Sequence, residues 1–78
     1  MDKLKLNEML MKKWREYQEK YEEYNKVIEY YLEVLKSRKL TIQEELKRDE
    51  ANRQVMFYIG AKTAIIKIMI QISDMEGV

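Results

Sequence analysis

Few residues in this chain of 78 could do chemistry. Histidine and cysteine are absent. That removes the usual proton shuttle and the thiolate nucleophile. Of the two serines, Ser37 falls near the middle and Ser73 near the end, with no companion base beside either. Acid–base work would fall to carboxylates such as Glu19, Glu22, Glu23, Glu29 and Glu33. These occupy the polar positions of a heptad pattern, where a run of charge reads as a solvated face. A metal would have to be held by carboxylates alone. No Glu-x-x-His pair, EF-hand loop or glycine-rich phosphate loop is present. The expectation is a protein without catalytic residues, metal or cofactor.

The aromatic residues are the second chemical resource. Trp14 and five of the six tyrosines load onto the first half of the chain. With Lys12, Lys13, Arg15 and Lys20 beside them they could stack on bases, or they could form a protein-binding surface. The third reading is a core seam whose phenol oxygens reach water at the rim. Heptad placement favours the seam, and leaves Tyr30 as the tyrosine off the stripe. Basic residues also gather mid-chain at Lys36, Arg38, Lys39, Lys47, Arg48 and Arg53. Glu44, Glu45, Asp49 and Glu50 interleave with them, so mutual neutralisation is expected. With 15 basic and 14 acidic residues, the chain projects no field toward nucleic acid or anionic lipid. Nucleic acid is therefore not the expected partner. A dimeric hairpin binding paired RNA loops, an architecture seen in small plasmid-copy-control RNA-binding proteins, is the alternative.

Both resources depend on the elements that carry them. Proline is absent and glycine occurs only at Gly60 and Gly77, which excludes a turn-rich β-fold. In the first arm Leu10, Trp14, Tyr17, Tyr21, Tyr24, Ile28, Tyr31 and Leu35 fall at alternating steps of four and three. That spacing is one stripe of a helix, predicted over residues 4–37. Glu16 with Lys20 and Glu22 with Lys26 are spaced for supporting ion pairs. Thr41-Ile42-Gln43-Glu44 has the form of a capping box. A turn at 38–41 and a second helix over 42–74 follow. The two arms make one helical-hairpin domain over 1–78.

The second arm is apolar on more than one side. Ala51, Tyr58, Ala61, Ile65, Ile68, Ile72 and Met75 form the stripe expected to face the first arm. Val55, Ile59, Ile66 and Ile70 form another, with Met69 at its flank. Residues 66–72 also alternate at period two and are β-branched, so a β-hairpin over 55–72 is the competing reading. The helix is preferred because an isolated two-stranded ribbon is marginal and no Asn-Gly or Asp-Gly turn is present. Folding the arms back sets Trp14 near Ile65, Leu10 near Met69, Tyr21 near Tyr58 and Ile28 near Ala51. Gly60 and Ala64 are spaced for a close helix crossing.

One neighbouring helix covers one stripe. Leaving several isoleucines bare would forfeit about 1.5–3 kcal/mol each, on the order of a small domain's whole stability. A chain this short, without disulfides, needs another staple. The reading is an all-α antiparallel hairpin, coiled-coil-like, that dimerises into a four-helix bundle. Val55, Ile59, Ile66, Met69 and Ile70 would form the contact with a second copy or another protein. Lys62 and Lys67 interrupt the apolar stretch too closely for a spanning segment, and charges fill the first residues, so a cytoplasmic location is expected. The Tyr-rich first arm, with Phe57-Tyr58-Ile59-Gly60-Ala61-Lys62 leading into Ala64-Ile65-Ile66, resembles the small Lys/Glu/Ile-rich helical hairpins of phages and mobile elements in low-GC Gram-positive bacteria. The resemblance implies a non-enzymatic binder, some of whose kind inhibit a host protein such as a defence nuclease.

Overall fold

A computed structural model describes residues 3–76. Helix α1 runs Lys3–Leu35 and helix α2 runs Ile42–Glu76, folded back on each other as an antiparallel hairpin. The molecule is a rod of 58 × 17 × 17 Å. The stretch open to a β-reading lies in the middle of α2, and no strand occurs among the described residues. Helix wins there because the apolar ladder of α1, from Leu10 to Tyr31, forms one continuous stripe, which a second rod covers along its length.

α1 ends two residues sooner than its pattern suggests. The Lys36 N–H donates to the Glu33 carbonyl at 3.2 Å and the Ser37 N–H to Val34 at 3.0 Å. The Ser37 hydroxyl donates to the same Val34 oxygen at 3.2 Å. These three-residue bonds tighten the last turn and stop the helix. The capping box then opens α2: the Glu44 N–H donates to Thr41 Oγ1 at 3.2 Å, and the Thr41 N–H to Glu44 Oε1 at 2.9 Å. Leu40, between the two devices, is buried and closes the turn end.

The register agrees with the folded-back pairing. The Tyr58 ring lies 5.7 Å from Tyr17 and 6.1 Å from Tyr24, at the level expected for Tyr21. Along α1, Tyr31 is buried, and Leu10, Trp14, Tyr17, Tyr21, Tyr24 and Ile28 are half-buried. Leu35 departs from the expected seam at 42% exposed. It is the last residue of α1.

The inner face of α2 differs from the expected one. Ala51, Val55, Ile65 and Ile72 are buried, with Tyr58, Lys62 and Met69 half-buried between them. This is an unbroken four–three ladder. Val55, expected on the outer stripe, is only 9% exposed and belongs to the seam. Ile68, expected in the seam, is 44% exposed and belongs to a flank, as does Met75. The face is turned by roughly 50°, at 100° per residue, from the purely apolar stripe. Lys62, a charged residue, takes one position of this seam.

Candidate functional site

Lys62 sits inside the hairpin because its head has partners there. Its Nζ donates to Gln18 Oε1 at 2.6 Å. It lies 4.1 Å from the centre of the Tyr21 ring and 5.7 Å from that of Trp14. The stem packs in the seam while the ammonium rests on aromatic faces, the usual way a long cation is accommodated. A polar residue at one seam position also fixes register, because a slip would strand it against apolar side chains. A count of apolar residues passes over Lys62. The signal lay in its heptad phase with Ala51, Val55, Tyr58 and Ile65.

With the seam assigned, α2 retains two uncovered apolar flanks. On one side Met56, Ile59, Ile66 and Ile70 are exposed, spaced as a heptad stripe with Thr63 and Ser73. On the other side are Phe57, Ile68 and Met75. The first flank borders a groove of about 430 Å³ between the helices, lined by Met11, Trp14, Ile66, Met69, Ile70 and Ser73. No polar surface lines it. A smaller groove on the other side is lined by Lys13, Glu16, Tyr17, Glu19, Lys20 and Tyr58, and is charged. The five residues expected at the contact therefore separate. Ile59, Ile66 and Ile70 lie on the outer stripe, Met69 forms the floor between groove and seam, and Val55 lies inside. Toward the same open end, the Trp14 indole N–H and Asn7 Oδ1 are buried without hydrogen-bond partners. Gly60 has open space around it, so no close crossing forms there within the hairpin.

Four of the six basic residues gathered near the turn, Lys36, Arg38, Arg48 and Arg53, pair with nearby carboxylates, and among the described residues Lys39 and Lys47 do not. Arg38 grips Glu44 through both terminal nitrogens, at 2.8 and 2.9 Å. Those bonds, with the Thr41 N–H, hold the Glu44 carboxyl at about 2, well below its ordinary value, and raise Arg38. Glu50 is lowered by hydrogen bonds from Gln54 and Arg53. Arg48 meets Asp49 at 3.6 Å and Lys36 meets Glu33 at 3.0 Å. Along α1 the ion pairs are Lys13–Glu16 and Lys20–Glu23, in place of the four-residue pairs expected. Among the described residues no group of three or more acidic side chains gathers to hold a metal ion. By length and composition, α2 is apolar enough to cross a membrane, with a window of mean hydropathy 1.5 that is 11% buried.

Comparison with known protein families, curated proteins and solved structures finds no match to this chain.

Proposed function

We propose that this hairpin is a non-enzymatic protein-interaction module, a small adaptor, regulator or inhibitor that acts through the uncovered flanks of α2. One observation carries the reading: a helix nearly as long as the molecule presents Ile59, Ile66 and Ile70 on one side of its seam and Phe57 and Ile68 on the other. Water-exposed apolar stripes of this extent mark contact surfaces. The pairing of four of the six cations around the turn supports a protein rather than RNA as partner, since free cations drive phosphate binding. Lys62 and Lys67 weigh against insertion in a bilayer, where each would cost about 2.5–3.5 kcal/mol near the centre of the span. The resemblance to phage hairpins adds inhibition of a host protein, such as a defence nuclease, as a role for such a module.

The test is affinity capture from a bacterial lysate, with and without nuclease treatment and with liposome flotation alongside. A defined protein retained after nuclease treatment, and lost with Ile66→Glu or Ile68→Glu, is the expected result. Capture of RNA that fades steeply with salt, or flotation with liposomes, would overturn the reading.

A further inference from the structure

The first flank of α2 has a property the second lacks: it is complementary to itself. Its stripe runs Met56, Ile59, Thr63, Ile66, Ile70, with Thr63 at the midpoint. The apolar groove at Ile66–Ser73 is centred about 10 Å from Thr63 along the axis, at 1.5 Å per residue. About 10 Å the other way stands Met56, a flexible apolar side chain 68% exposed. A two-fold axis at Thr63 therefore sets Met56 of each copy level with Ile70, at the rim of the other copy's groove, twice. We propose that α2 pairs antiparallel along this stripe with a second copy of the chain, Met56 of each copy packing on Ile70 of the other. The inference rests on the interaction-module reading and names the partner for one of its flanks.

Three observations commit the flank to a second copy in this orientation. The first is area. The chain exposes 6346 Å², whereas a compact protein of 9.6 kDa exposes about 5,100 Å². The excess of about 1,200 Å² is more than the ~800 Å² that each partner of a standard interface covers. The second is charge. A parallel two-fold pair would set Lys67 level with Lys67 and Asp74 level with Asp74 of the other copy. The antiparallel pair sets Lys67 beside Ile59 and Gly60, and Asp74 level with Asn52 and Arg53. The third is the centre itself. The Thr63 hydroxyl donates to the Ile59 carbonyl at 2.8 Å within its own helix, so no unmet donor lies on the axis. An isologous contact of this kind closes at two copies.

The absence of cysteine makes single-cysteine variants clean reporters. Under mild oxidation Thr63→Cys should convert mostly to disulfide-linked dimer. Met56→Cys and Ile70→Cys should each stay unlinked alone, and should link to each other when mixed. Circular dichroism matching wild type shows that each variant keeps the hairpin. Self-linkage of Met56→Cys and Ile70→Cys would mean a parallel pair and overturn the proposal. No linkage at any of the three positions would overturn it as well. Failure here, with lysate capture still sensitive to Ile68→Glu, removes the second copy and leaves the interaction-module reading standing.

Discussion

Two neighbours in sequence, Ile65 and Ile66, divide the molecule between them. Ile65 is buried against α1 and Ile66 is 46% exposed on the groove side. Ile65→Ala should lower stability by about 2–5 kcal/mol, the range for emptying a packed core site. In a hairpin kept monomeric by dilution, Ile66→Ala should stay within roughly 0.5 kcal/mol, as surface changes do. Urea midpoints at low and high protein concentration check both, since only Ile66→Ala should become costlier as concentration rises. Lys62 offers a second test. Lys62→Ala removes both the stem and the ammonium over Tyr21, and should cost about 1–2 kcal/mol. Lys62→Met keeps the stem and should recover most of the loss. The α1 residues of the seam are readable from the amino-acid pattern alone, because apolar and charged positions separate cleanly there. Lys62 is not, because its place depends on Gln18, Trp14 and Tyr21, which are remote in sequence.

Each helix is defined mostly by its own signals, and α2 shows where such signals end. The start of α2 was legible in Thr41 and Glu44, whose reciprocal hydrogen bonds form. Thr41→Ala should therefore cost about 1 kcal/mol, seen as a lower urea midpoint with an unchanged slope. The same corner predicts a pH dependence. Glu44 titrates at about 2 in the folded chain against an ordinary 4.5. A carboxyl lowered by folding contributes its stabilisation above the ordinary value and loses it as pH falls toward the folded one. The melting temperature should fall between about pH 5 and pH 2. Glu44→Gln should melt lower at pH 7 and follow pH more weakly. An identical acid limb in both proteins would contradict this account of the corner. The inner face of α2 was legible in four of its seven positions, Ala51, Tyr58, Ile65 and Ile72. Apolar residues surround most of that helix, so composition left its rotation open. The observed rotation puts Val55 inside and Ile68 outside, with Lys62 in the seam.

At the scale of the whole molecule, the hairpin is long for its mass. Its radius of gyration is 17.5 Å, whereas a compact chain of this length would have about 11.5 Å. Among the described residues only six apolar side chains are buried, and none of them completely. A rod of two helices has no inside beyond its seam, so a second rod is the economical way to create one. This logic was visible in the sequence as apolar surplus on α2, but the side facing out was not, since it depends on where the seam settles. The central claim is that the Ile59–Ile66–Ile70 flank is an interface between copies. Sedimentation equilibrium from about one to a hundred micromolar measures it most directly, on wild type and Ile66→Glu. The account predicts a mass twice 9.6 kDa for wild type and a single-chain mass for the variant, both fully helical. A single-chain mass for wild type across the whole range would contradict it.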